Sequence, residues 1–103
     1  MFLKIGDKSF LNLNDCKIHD RLKSIRKNEG FVNVYAAQFS GATWHPTCYD
    51  YSKEEYERIS KKKAISKLEA VAKSIEIVQP EFYIPSAGPA CFLDPHTFAI
   101  NFQ

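Results

Sequence analysis

The sequence predicts an α/β fold, and three patterns carry that prediction. Strand-like and helix-like stretches alternate along the chain after an opening hairpin. Phe31 to Phe39 form a largely apolar run rich in β-formers, the pattern of parallel strands buried on both faces with helices on either side. Ser52 and Glu55 stand three apart ahead of the longest helical pattern, the spacing of a capping box.

The elements follow in order. Phe2, Leu3 and Ile5 make a short strand, Gly6-Asp7-Lys8 a turn, and Phe10-Leu11-Asn12-Leu13 a second strand, together a β-hairpin. Asn14 or Asp15 then supplies an N-cap for a first helix, whose apolar face holds Ile18, Leu22 and Ile25. Lys23, Arg26 and Lys27 suit its C-terminal dipole, and Asn28-Glu29-Gly30 ends it. Beyond the 31–39 strand a loop runs from Ser40 to Tyr51. The long helix extends from Ser52 to near Ile77, with a stripe of Tyr56, Ile59, Leu68, Ala72 and Ile75 flanked by Ile65 and Val71. Pro80 stops it. Glu81 to Ile84 form a further strand that breaks into Pro85-Ser86-Ala87-Gly88-Pro89-Ala90, and an apolar, aromatic tail follows from Phe92 to Phe102. The resulting order is β-hairpin, then strand-helix-strand-helix-strand, with right-handed crossovers. Without repeats, low-complexity stretches or linkers, residues 1–103 read as a single unit.

Composition narrows the class. The 103 residues include eight Phe, five Tyr and one Trp, with 45% hydrophobic and 25% charged positions, which suits a folded core and argues against disorder. A formal charge of +2 is too small to point to nucleic acid. No apolar run approaches the ~20 residues of a membrane span, and the first residues lack the pattern of a signal peptide. Cys16, Cys48 and Cys91 are an odd number, far apart; reduced thiols and a cytoplasmic location are the expectation.

In an open α/β sheet chemistry collects at the carboxyl ends of strands. The three such ends here are Asn12-Asn14-Asp15, Ser40-Gly41 onward, and Pro85 to Ala90. Asp15 can ligate a hard cation or simply cap a helix. Cys16 with His19, and His45 with Cys48, have the spacing of metal-binding pairs and together could build a Cys₂His₂ zinc site, although thiols and histidines so placed are more often packing or surface residues. Cys48 with His45 or His19 is also a nucleophile–base pair by type, against which stands an ordinary packed thiol. Lys61-Lys62-Lys63 could attract a phosphate or form a solvated helix face, with Lys63 laying its stem on the core. Pro85-Ser86-Ala87-Gly88-Pro89 can shape a pocket but offers no acid or base. A Rieske iron–sulfur cluster takes two Cys and two His, one pair as C-x-H, and no C-x-H occurs in this chain.

Three segments are informative together: Asn12-Leu13-Asn14-Asp15-Cys16; Phe39-Ser40-Gly41-Ala42-Thr43-Trp44-His45-Pro46-Thr47-Cys48-Tyr49-Asp50-Tyr51; and Tyr83-Ile84-Pro85-Ser86-Ala87-Gly88-Pro89-Ala90-Cys91-Phe92. In this order, covering nearly the whole chain, they resemble the C-terminal part of the metallo-β-lactamase-like domain of CMP-N-acetylneuraminate hydroxylase and its bacterial relatives. That family carries a Rieske domain followed by an αββα metallo-β-lactamase-like domain. The resemblance implies a partial αββα layer, the C-terminal half of such a fold. It implies that Asp15 is the aspartate that many relatives use as a metal ligand. Asn14, Ser40, Gly41, Trp44, His45, Cys48, Ser86 and Gly88 would line the pocket. The first-half motif His-x-His-x-Asp-His has no counterpart here, and the late histidine of many relatives falls near Ala87.

One carboxylate does not hold a catalytic metal, which takes three protein ligands and an open position. The expectation is therefore a chain with no cofactor and no catalysis of its own. Its parent would be a metal-dependent hydrolase or monooxygenase acting on a nucleotide sugar, with divalent zinc or iron and a Rieske 2Fe-2S cluster in a separate domain. The expected partner is the missing N-terminal half of the domain. Two alternatives stand beside it: a small homodimeric binding protein that pairs through its open sheet edge, and a minor zinc protein built on Cys16, His19, His45 and Cys48.

Overall fold

In a computed structural model, the structure describes residues 1–14, 16–39, 46, 48–87 and 93–99. Strands β1 (Phe2–Ile5) and β2 (Lys8–Asn12) form the opening hairpin. A 3₁₀ turn (His19–Arg21) leads into α1 (Leu22–Glu29), β3 (Val34–Gln38), α2 (Lys53–Val78) and β4 (Phe82–Ser86). The sheet order is β1-β2-β3-β4. The hairpin is antiparallel, whereas β2–β3 and β3–β4 are parallel. The element order agrees with the expected segments, with the hairpin's second strand serving as the first strand of the strand-helix-strand-helix-strand run. Gly6 sits in the hairpin turn at φ +60, a conformation that side chains with a Cβ rarely adopt.

The expected flanking of the sheet by helices on either side is corrected. Each parallel strand adds next to its predecessor in one direction, and right-handed crossovers then place both helices on the same face. One buried cluster holds Leu11, Leu13, Leu22, Val32, Tyr35, Ala37 and Val78, with Ile18, Ile25 and Ile75 packed against it. It therefore draws on α1, α2 and a single sheet face.

Two local expectations also shift. The first helix starts at Leu22, not beside Asn14 or Asp15, and its N-cap Arg21 makes no side-chain capping bond. Asn14 instead turns to a left-handed φ of 45, and its N–H donates to Oδ1 of Asn12 at 2.9 Å. That local turn competes with helix initiation, so Cys16 precedes the 3₁₀ turn and His19 opens it. On α2 the buried positions are Val71, Ser74 and Val78, while Ile65 and Leu68 are exposed. The stripe read from the apolar residues is rotated from the true packing face because that face contains a serine. The Tyr35 hydroxyl donates to Ser74 Oγ at 3.0 Å, and Ser74 Oγ donates to the Val71 carbonyl at 2.7 Å. The termini of α2 agree with expectation. Ser52 Oγ accepts from the Glu55 N–H at 3.3 Å, and Gln79, in a left-handed conformation just before Pro80, closes the helix through its N–H to the Ile75 carbonyl.

β4 runs two residues further than expected and includes Pro85, which faces Ala37 in register. A proline lacks the ladder N–H and is tolerated because β4 is an edge strand. The opposite ends of the strands are tied by Asn33. Its Oδ1 accepts from the Ser9 N–H at 2.9 Å, and its Nδ2 donates to Glu81 Oε2 at 2.9 Å. Ser9 Oγ donates to the Phe31 carbonyl at 2.7 Å and accepts from the Asn33 N–H at 3.2 Å. One buried amide thus links the start of β2, β3 and β4.

Two outcomes are expected in denaturant unfolding. Asn33→Ala leaves the buried Ser9 N–H without its acceptor and costs about 2–3 kcal/mol; a loss below about 0.5 kcal/mol would show that the clamp carries no weight. Burial holds Tyr35 above the ordinary tyrosine pKa, against the opposing pull of its bond to Ser74. A raised folded-state value favours the neutral phenol, so this contribution is complete below about pH 10 and is lost as pH rises through the folded-state value. Tyr35→Phe is expected to cost about 1 kcal/mol near neutrality and to flatten the alkaline fall in stability. An unchanged alkaline limb would contradict the assignment.

Candidate functional site

The carboxyl ends of the parallel strands meet at one edge of the fold. β2 leaves the sheet through Leu13, which is buried and donates its N–H to the Ala36 carbonyl at 3.0 Å. Asn14 follows at the rim, exposed. On the far side of β3, the Phe39 N–H donates to the Ser86 carbonyl at 3.3 Å, and Ala87 then turns to φ 50. Asn14 and Ser86 therefore flank the end of β3 from the two neighbouring strands. Two interstrand steps separate them, roughly 10 Å of backbone.

Two features distinguish this end of the sheet. Both strand exits pass through non-glycine residues at positive φ, Asn14 and Ala87; alanine has no side-chain bond to offset the cost of that conformation. Ser86 Oγ is buried and has no hydrogen-bond partner among the described residues. A buried hydroxyl without a partner is uncommon and costs stability, and it leaves a donor and an acceptor available at the strand end.

Asp15, Ser40, Gly41, Trp44, His45 and Gly88 lie outside the described residues. Of the remaining expected positions, Asn14 and Ser86 are brought to the same sheet end. Cys48 lies in the turn before α2, where the Tyr49 N–H reaches the Pro46 carbonyl at 2.9 Å. Its thiol, like that of Cys16, is free and exposed. A zinc site pairing Cys16 and His19 with His45 and Cys48 falls partly outside the described residues. Among the described ones no group of three His, Cys, Asp or Glu comes together.

The sequence reading missed a cationic cluster. Burial first, then the ammonium groups of Lys63 and Lys17, hold Lys67 below the ordinary lysine pKa. Lys17 lies between β2 and the 3₁₀ turn, so residues far apart in sequence act on one ammonium group. The i, i+4 spacing of Lys63 and Lys67 was visible in the sequence; the approach of Lys17, fifty positions away, was not. Lys63 is half-buried whereas Lys61 and Lys62 are exposed, which agrees with a stem laid against the fold.

Two mycobacterial proteins resemble this chain, both provisionally named Rieske 2Fe-2S iron–sulfur proteins. The one from Mycolicibacterium smegmatis is 33% identical over 101 residues, 96% of this chain and 19% of its own length. The one from Mycobacterium tuberculosis strain H37Rv is 30% identical over 96 residues, 93% of this chain and 18% of its own. The chain thus spans less than a fifth of these relatives, and it is related in sequence to Rieske-type proteins. No protein-family model matches it, and no solved structure matches it.

The residues present do not fit the cluster those names imply. A Rieske centre takes paired Cys and His ligands from two loops. Here Cys16 and Cys48 are exposed on separate segments, and His19 stands on a 3₁₀ turn in a C-x-x-H spacing. No chemical step of this chain is derived through such a cluster. What the described residues offer is a polar sheet edge whose two outer strand exits run through positive φ.

Ser86→Ala removes a buried hydroxyl that has no partner among the described residues. Stability is expected to stay constant or to rise by up to about 1 kcal/mol in urea unfolding. A loss of more than about 1 kcal/mol would show that the hydroxyl is bonded in solution.

Proposed function

We propose that this chain is a non-catalytic part of a longer Rieske-type protein, corresponding to the C-terminal portion of a metallo-β-lactamase-like, CMP-N-acetylneuraminate hydroxylase-like domain. The observation that carries the reading is the coverage: the match takes in 96% of this chain but 19% of the Mycolicibacterium smegmatis relative. A Rieske cluster in such a protein would be held by residues elsewhere, since the ligand pattern is missing here.

Within that longer protein, the chain would supply one wall of a pocket at the carboxyl ends of β2, β3 and β4. Asp15 would give one ligand to a divalent zinc or iron ion whose other ligands come from the missing half. Asn14, Ser86 and the 40–48 connection would line the wall. Strained exits at Asn14 and Ala87 support this placement, because strain persists where surrounding structure enforces it and gathers at functional sites. The strand-end location agrees with where ligands bind in open α/β sheets. A nucleotide sugar is the substrate class that the resemblance suggests.

The test is a chimera in which this chain replaces the matching segment of the Mycolicibacterium smegmatis relative. Metal analysis and low-temperature electron paramagnetic resonance are then compared for the chimera and its Asp15→Asn variant. The expected result is a 2Fe-2S signal unchanged by Asp15→Asn, with a fall of roughly tenfold or more in affinity for the additional divalent metal. The reading fails if Asp15→Asn abolishes the iron–sulfur signal, or if this chain alone takes up a 2Fe-2S cluster.

A further inference from the structure

The face of α2 turned furthest from the core is built like one half of a helix pair. Arg58, Lys62, Ile65, Glu69, Ala72 and Glu76 recur at alternating steps of four and three, which lays them along one stripe of an α-helix. Lys61 and Leu68 border that stripe. All eight side chains are exposed, Ile65 at 46% and Leu68 at 56%, while Val71, Ser74 and Val78 on the opposite side are buried. A groove of about 500 Å³ runs beside the stripe, with Arg58, Lys61, Lys62, Ile65 and Glu69 in its lining. The solvent side of a helix is ordinarily charged and polar. Here a large apolar pair interrupts the charges.

Those charges are sorted about the apolar pair. Arg58, Lys61 and Lys62 precede it, and Glu69 and Glu76 follow it. When such a stripe meets a reversed copy of itself, its cationic half faces the carboxylate half at both ends. With Ile65 set against Leu68 of the second copy, Lys62 comes within a helical turn of that copy's Glu69, and Arg58 stands opposite its Glu76. Ala72 falls against the Lys61 stem, where a small side chain lets the helices approach. Lys73 lies further round the helix, with Glu69 nearer the seam. A parallel copy would instead set like charges side by side.

We propose that α2 is a two-fold docking surface, on which the outer stripe pairs antiparallel with the same stripe of a second copy of this chain. The inference goes beyond the proposed function, since it uses neither the strand-end pocket nor the rest of a longer protein. The contact is short and rimmed by exposed charge, so the pairing is weak, with a dissociation constant of roughly 100 µM.

Sedimentation velocity of the chain from about 10 µM to 1 mM brackets that constant and is expected to show a reversible dimer. Charge swaps across the seam then test its geometry. Lys62→Glu alone, or Glu69→Lys alone, sets like charges together at two symmetry-related places and is expected to raise the dissociation constant roughly tenfold. The two changes combined in one chain are expected to restore it to within about threefold. Positions 62 and 69 stand about 10 Å apart along one helix, out of contact within a chain, so the rescue has to come from the second copy. Glu76 is left unaltered because it also borders Lys23, Arg26 and Lys27 of α1. Leu68→Gln removes the apolar contact without adding charge and is expected to weaken the pairing by a similar factor. Far-ultraviolet circular dichroism is expected to match across the set, since every altered side chain is exposed, and it separates lost pairing from lost fold. A chain that stays monomeric to about 1 mM overturns the proposal, as does a double variant that pairs no better than the single ones. So does a dimer that ignores the α2 changes and is broken by Phe82→Lys, because the second copy then docks on the sheet.

Discussion

The winding direction of the sheet governs the rest of the structure. β3 joins β2 and β4 joins β3 on the same side each time, and the right-handed rule then gives both helices one face to cover. From this follow a one-sided core, a bare apolar face, and a single edge where all three parallel strands end. A reversal of strand order after β3 would have placed α2 on the opposite face and closed the sheet on both sides.

A one-sided core is small, and it relies on hydrogen bonds to hold its parts in place. Tyr35 stands on the central strand and reaches Ser74 on α2, while its ring packs at 5.7 Å from that of Tyr83 on the edge strand. Tyr83 in turn donates its hydroxyl to the Ala37 carbonyl at 3.1 Å. At the other end of the strands Asn33 does similar work with Ser9 and Glu81. The long helix contributes little to this core. Its 26 residues span about 39 Å, yet its buried positions are Val71, Ser74 and Val78. Among the described residues no helix is long and apolar enough to cross a membrane.

Much of the fold was legible because its signals are local. The Gly6 turn, the capping pair Ser52 and Glu55, and the stop before Pro80 are written within a few residues of where they act. Signals that depend on distant partners were not. Ser74 looks like a surface serine until Tyr35 is placed above it, and so the stripe on α2 was only partly right: Val71 and Ile75 face the core, whereas Leu68 and Ala72 are exposed. The start of α1 was misplaced because the side chain of Asn12 takes the N–H of Asn14 and turns the chain aside. At the candidate site, strand order was enough to bring Asn14 and Ser86 to one edge. The strain at Ala87 and the approach of Lys17 to Lys67 exist only in three dimensions.

The proposal that this chain works against more polypeptide rests on its kinship with Rieske-type proteins and on the exposed apolar side chains of one sheet face. The most direct test of that account is titration of the isolated, cooperatively folded chain with an apolar fluorescent dye. A chain whose second sheet face is bare is predicted to light the dye while keeping a cooperative near-ultraviolet unfolding transition, which separates it from a molten state. A folded chain that leaves the dye dark would contradict the account, because its sheet would already be complete.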